Sequence, residues 1–300
     1  LKYNKEVADP ILKDFTRLQT EDELKGLQQQ IRDIKFDYSW TESNLPELRI
    51  TKSAEERGYM QKAGVIAARA MKAAIKQIKP GTLEREIQGV AEWETYRQGG
   101  SLAKATQVLS GFPGQNVLYA QNDQELIQGL VVIDLGVRYR GYCSQIARTI
   151  PVAEVWSPTL VKVYEILADE HLALIKDCRK GQDLSAVVQK HRSILAEKLN
   201  PIVLVNGEER SGFRDTYLGG VISSIGLEIN ESPVQGTAMA GMVLSGTTTI
   251  AIPHSKRFKK DYQGVHIRLT DIIEVGETSK WLTQGIPLGV KELEIVRTGQ

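Results

Sequence analysis

The sequence predicts an α+β fold, and three observations predict it. An apolar, β-branched run, Val131-Val132-Ile133-Asp134-Leu135-Gly136, is followed after a short turn by Arg140-Gly141-Tyr142-Cys143-Ser144-Gln145 and on to Ile150, the pattern of a β-hairpin. Ser53-Ala54-Glu55-Glu56 is a capping box, serine at the N-cap and glutamate three residues on, opening a long helix. Finally, the order of two helices, strands and a hairpin is echoed by two more helices and further strands, although the two halves share too little identity to be read as a repeat.

Taken in order, residues 1–38 are polar, with apolar positions such as Leu18, Leu24, Leu27 and Ile31 at helical intervals, and predict one or two surface helices. Asp37 to Pro46 breaks the pattern as a linker. The capped helix runs to about Ile78 with Met60, Ala63, Ile66, Ala67, Ala70, Met71 and Ile75 on its apolar face. Lys79-Pro80-Gly81 ends it, and Thr82 is expected to cap a second helix that stops at Gly99-Gly100. Gly111, Pro113 and Gly114 mark a turn before Asn116 and Tyr119. Ser157-Pro158 starts a helix to about Lys180, and Asp183 caps another to about Leu199. His171 and His191 on these helices are expected at the surface or core edge.

Charge is nearly balanced, 38 basic against 37 acidic residues, so neither nucleic acid nor an anionic membrane is the expected partner. A small molecule or a peptide-like ligand is expected instead. Cys143 and Cys178 have no metal-type spacing and are too few for a disulfide framework, which predicts a reduced, cytoplasmic setting. No stretch approaches the roughly 18–20 apolar residues that span a bilayer. The chain begins at Leu1 and not at Met, so an address carried upstream is not readable.

The hairpin around Asp134, the entry segment Leu45-Pro46-Glu47-Leu48-Arg49 with Thr51-Lys52-Ser53, the Gly226-Leu227 pair with Glu231 to Pro233, Gly241 to Ser245 and Gly264 to Arg268 resemble the pita-bread family. That family holds methionine aminopeptidases, Xaa-Pro aminopeptidases, prolidases and creatinase. The resemblance covers about residues 46–296. It implies two pseudo-symmetric halves whose curved antiparallel sheet is covered by helices, a catalytic-like domain over 49–300, and residues 1–48 as a helical stub of a larger amino-terminal domain. A homodimer is the assembly it implies.

The resemblance also implies a dinuclear metal site, and this sequence departs from it. Asp134 stands at the first ligand aspartate, but Gln145 replaces the second, Ser223 the ligand histidine, Thr247 the glutamate of an isoleucine-glutamate-proline motif, and Arg268 the bridging glutamate. Gly219 and Asn230 stand where substrate-side histidines are expected, Leu118 where another is, and His266 where an arginine is usual. One carboxylate offsets little of two cations' charge, so no metal and no cofactor are expected. Arg268 is expected to lie against Asp134, which leaves two readings. The pair either repairs a dead site, or joins Asn116, Tyr119, Gln145, Ser223, Asn230, Thr247 and His266 in a polar pocket for a small carboxylate or a peptide end. Candidate catalytic groups are His266, Tyr119 and Ser223, although Ser223 lacks an adjacent base. Creatinase works without metal, but its histidine and acidic positions are here Leu118, Gln145 and Thr247. The leading expectation is an aminopeptidase-P-like pseudoenzyme, a metal-independent binding or regulatory domain. The alternative is a metal-independent lyase, cyclase or C–N hydrolase on a small substrate, and the third an Xaa-Pro metallopeptidase.

Overall fold

The structure is a computed structural model that describes residues 48–111, 122–126, 128–153, 156–205, 218–233 and 236–299. The expected surface helices and linker of residues 1–47, and the turn carrying Asn116, Leu118 and Tyr119, lie outside the described residues. The elements all belong to the compact unit Ile50–Gln300.

Its first half is α1 (Ala54–Ile75), α2 (Glu84–Arg97), β1 (Ser101–Ser110), β2 (Leu130–Tyr139) and β3 (Tyr142–Pro151). The second half repeats the plan with α3 (Pro158–Asp177), α4 (Leu184–Val203), β4 (Leu218–Ser224), a short β5 (Ser232–Pro233), β6 (Val243–Ala251) and β7 (His266–Glu274). A short β8 (Lys280–Trp281) and α5 (Val290–Thr298) complete the chain order. The α1 capping box is present in full: Ser53 Oγ accepts from Glu56 N, and the Glu56 carboxylate accepts from Ser53 N. Thr82 does not cap α2. The N-cap is Leu83, whose amide donates to the Glu86 carboxylate at 3.0 Å, while the Thr82 hydroxyl closes the preceding turn on Gln77 O.

One antiparallel sheet runs β1-β2-β3-β7-β6-β4-β5, with β8 on the edge of β7, so the halves meet where β3 lies beside β7. The internal echo, faint in the residues, is plain in the turns before α2 and α4. Gly81 and Gly181 both adopt φ +86°, and their amides donate to Leu126 O and Ala238 O. Both turns need a glycine for that left-handed backbone, while the residues around them are free to differ.

The helices pack on one face of the sheet. Gly64 of α1 lies under Ser144, Leu174 of α3 under Gly246, and Arg192 of α4 under Gly220, so the helix-covered face carries Ile133, Leu135, Ile146, Arg148, Leu269, Asp271 and Thr248. That side is the apolar core, with Ile66, Met71, Ile75, Ile133, Ile146, Leu167 and Ile267 all buried. Among the described residues, no helix is long and apolar enough to cross a membrane. Cys143 and Cys178 are buried free thiols.

The β3–β7 joint has a single ladder pair, Ala147 with Thr270. Side chains supply the rest. The Thr149 hydroxyl accepts from Arg268 N at 2.9 Å and donates to Arg268 O at 3.2 Å, standing in for a second backbone rung. On the helix side, fully buried Arg148 reaches fully buried Asp271 at 3.0 and 2.9 Å and also donates to Thr270 O, Ile286 O and Pro287 O. His171 of α3 completes the network, with Nε2 3.0 Å from Asp271 Oδ2 and Nδ1 2.9 Å from Thr248 Oγ1. It is therefore a buried tie between helix and sheet and not a surface residue. His191 is likewise buried, 2.5 Å from Glu170 and 3.1 Å from Asp177, joining α4 to α3. Helical periodicity places both residues on their helices, but the carboxylates that hold them lie 14 to 100 residues away.

Removing one member of such a pair strands the other charge in the core. Asp271→Ala should lower unfolding free energy by about 3–5 kcal/mol in urea titration, and the double replacement Arg148→Met with Asp271→Leu should recover most of that loss.

Candidate functional site

The opposite face gathers the described residues singled out around Asp134. Strand register brings them together: Asp134 faces Ala147, Ala147 faces Thr270, Thr270 faces Thr247, and Thr247 faces Val221. Residues two along on each strand share the face, which adds Gln145, Arg268, His266, Gly219 and Ser223. The same parity selects Thr247 over Thr248, whose side chain belongs to the helix face.

Asp134 is fully buried and answered from three strands. Lys104 Nζ of β1 lies 2.7 Å from Oδ1, Arg268 Nη2 of β7 lies 3.2 Å from Oδ2, and Gln145 Nε2 donates to both oxygens at 2.9 and 3.2 Å. Gln145 is not directly across from Asp134, since that place is Ala147. It reaches diagonally along β3, a separation long side chains span. Burial alone would push the Asp134 carboxyl up, but Lys104, Arg268 and the amide donor together hold it below the ordinary carboxylate range. Burial pulls the Lys104 ammonium down, and Asp134 opposes that pull.

Local sequence pattern does not reveal Lys104. It sits on a strand with two register shifts against β2, between Leu102 and Lys104 and between Lys104 and Gln107, so simple alternation does not assign its face. A usable signal is Gly136. A Cβ there would come within 2.9 Å of Lys104 Cγ and 2.3 Å of Ile229 Cδ1, so glycine leaves the lysine stem room to cross β2.

The remaining candidates fall in two groups. Thr247 and Thr270 bond hydroxyl to hydroxyl at 2.9 Å beside Ala147. Ser223 and Asn230 bond to each other at 3.2 Å on β4 and the loop after it, without a histidine partner for the serine among the described residues. That loop is anchored by buried Lys52, whose Nζ meets Glu231 Oε2 at 2.9 Å, and Gly226 permits it, because a Cβ there would strike the Glu231 carboxylate at 2.5 Å. Gly219 leaves its place bare, and a Cβ would meet Thr249 Cγ2 at 2.6 Å. His266 is buried, and burial with Arg268 nearby takes its imidazole down to about 4, so it is neutral near pH 7. Its Nδ1 and the Arg268 Nε are buried without a hydrogen-bond partner among the described residues.

Comparison with known proteins places this arrangement. The sequence model of metallopeptidase family M24 matches residues 58–277. The Xaa-Pro aminopeptidase of Escherichia coli (strain K12) is 27% identical over 261 residues, 83% of this chain and 59% of that protein. The Xaa-Pro dipeptidase of Pyrococcus furiosus is 29% identical over 216 residues, 70% of this chain and 58% of that one. Among solved structures, aminopeptidase P from E. coli with the inhibitor Pro-Leu superposes with a TM-score of 0.79 at 26% identity, covering 88% of this chain and 62% of that chain. The chain thus spans less than two thirds of the length of these relatives. The pita-bread architecture expected from the sequence is the architecture found.

The donor set does not fit a dinuclear metal centre. Of the five positions that the resemblance assigns to ligands, only Asp134 is a carboxylate, and both its oxygens already accept from nitrogen donors. Among the described residues, no three His, Cys, Asp or Glu side chains cluster to share an ion. Hard divalent ions need several anionic oxygens, and Lys104 and Arg268 would add repulsion within a few ångströms.

A carboxyl held below its unfolded value stabilises the fold above about pH 4 and loses that contribution as pH falls through the folded value. Asp134→Asn should therefore melt lower than the native chain at pH 7 yet lose less on acidification, read from thermal melts between pH 7 and 3.

Proposed function

We propose that this chain, which belongs to metallopeptidase family M24, is an aminopeptidase-P-like protein whose cleft binds a peptide-like or small carboxylate ligand without metal, as a binding or regulatory domain. One observation carries the reading: the aspartate that survives at a ligand position is saturated by Lys104, Arg268 and Gln145, so an ion would have to displace two fixed cations. The scaffold around it is intact. The same strands bring Thr247, Ser223 and Arg268 to one open face, and peptides are what the relatives' names, Xaa-Pro aminopeptidase and Xaa-Pro dipeptidase, say they act on.

A second reading, metal-independent turnover, has His266 in its favour: its imidazole is neutral and its Nδ1 has no partner among the described residues, although burial and Arg268 make it a weak base near pH 7. No nucleophile among the described residues pairs with it.

Elemental analysis after dialysis against manganese or zinc, run beside an Xaa-Pro hydrolysis assay, tests the proposal. Less than about a tenth of an ion per chain and no manganese-dependent release of the first residue are the expected results. Stoichiometric binding of two ions with hydrolysis would replace this reading with that of a working metallopeptidase.

A further inference from the structure

Resting on the metal-free reading above, we propose that the cleft recognises the carboxylate end of its ligand, as a peptide C-terminus or a free monocarboxylate, and rejects the ammonium end. The first ground is charge. Around Asp134 the described residues place two cations, Lys104 and Arg268, against one carboxylate whose oxygens are both engaged. The surplus is positive. On the loop after β4, Glu231 is tied to Lys52 and to Leu227 N and the Asn230 amide oxygen accepts from Ser223, while Glu228 is exposed. An incoming ammonium would find two like charges beside an aspartate whose oxygens are both engaged, and like charges so close cost several times thermal energy in a partly buried site.

The second ground is unspent donors. Arg268 spends Nη2 on Asp134, and its Nε is buried with no partner among the described residues. A guanidinium offers five N–H donors in a fixed fork, so the bond from Nη2 to Asp134 leaves the Nη1 donors for a second carboxylate. Lys104 spends one of three donors on Asp134. Both side chains are about a quarter exposed, 26% and 24%, and so are within reach of a ligand.

A third ground limits the size of the group next to the carboxylate. Val221, directly across from Thr247, is 60% exposed on the open face, an apolar contact beside the paired Thr247 and Thr270 hydroxyls. Ala147, between Asp134 and Thr270 in the register, is fully buried and adds only a methyl group to this face. A small apolar side chain adjoining the anionic group matches this wall.

Calorimetric titrations in EDTA, repeated with manganese, test the proposal with four probes: N-acetyl-alanyl-valine, its C-terminal amide, alanyl-valine amide with a free amine, and isobutyrate. The acetylated free acid should bind in EDTA, and amidation should weaken it about tenfold or more. Isobutyrate binding as tightly as the peptide would identify a free acid as the ligand, and weaker binding would identify a chain end. Arg268→Gln and Lys104→Gln should each cost the free acid about tenfold in affinity, with native circular dichroism as the control for folding. Equal binding of acid and amide, preference for the amine-ended probe, or no binding of either carboxylate at millimolar concentration would overturn the inference while leaving the metal-free reading in place. Binding that appears only with manganese would overturn that reading instead.

Discussion

The two halves of this protein are held by two buried aspartates, each answered by an arginine from across the same joint. β3 and β7 share one ladder pair, so backbone hydrogen bonding alone does not define their spacing. On the helix face Arg148 of β3 meets Asp271 of β7, and on the open face Arg268 of β7 meets Asp134 of β2. Arg148 and Asp271 are both fully buried, so a lone partner there would be costly, while Arg268 shares Asp134 with Lys104, and each arginine marks where the opposite strand lies. The Thr149 hydroxyl, bonded to the backbone of Arg268 in both directions, sets that arginine's height in the joint.

On the open face, fixed cationic side chains hold Asp134, and that differs from the way a metal centre holds charge. A metal pair gathers ligands by charge and releases them when it leaves. Lys104 and Arg268 are covalently part of the sheet, so Asp134 is neutralised permanently and its environment is set at folding. Proton handling obeys the same logic. His266 is held neutral by burial and a neighbouring guanidinium, whereas Asp134 is held ionised by the same guanidinium. One cation thus sets two protonation states of opposite sense.

Much of this is legible in the residues. The hairpin, the capping box at Ser53 and the apolar faces of the helices come from local pattern, because each depends on neighbours within a turn or on strand alternation, whereas the pairing of Arg268 with Asp134 is implied by the family resemblance. The features that escape a sequence reading depend on distant partners. Lys104 lies between two register shifts, His171 finds its carboxylate 100 residues away, and Thr82 stands one residue before the N-cap Leu83 with its hydroxyl donating to Gln77 O. The likeness of the two halves is similarly invisible as residue identity. It resides in backbone geometry at Gly81 and Gly181, which constrains conformation far more than side-chain type.

That duplicated plan has a consequence for how the molecule can be divided. Severed in the connection between Pro151 and Pro158, each fragment would carry its own helices and a core of sorts, yet would present β3 or β7 as a bare edge. Each would also bury an arginine or an aspartate with no counterion. Neither fragment is a self-sufficient folding unit, and evolutionary exchange of one half for another's would succeed only if both arginine–aspartate clasps travelled as matched sets.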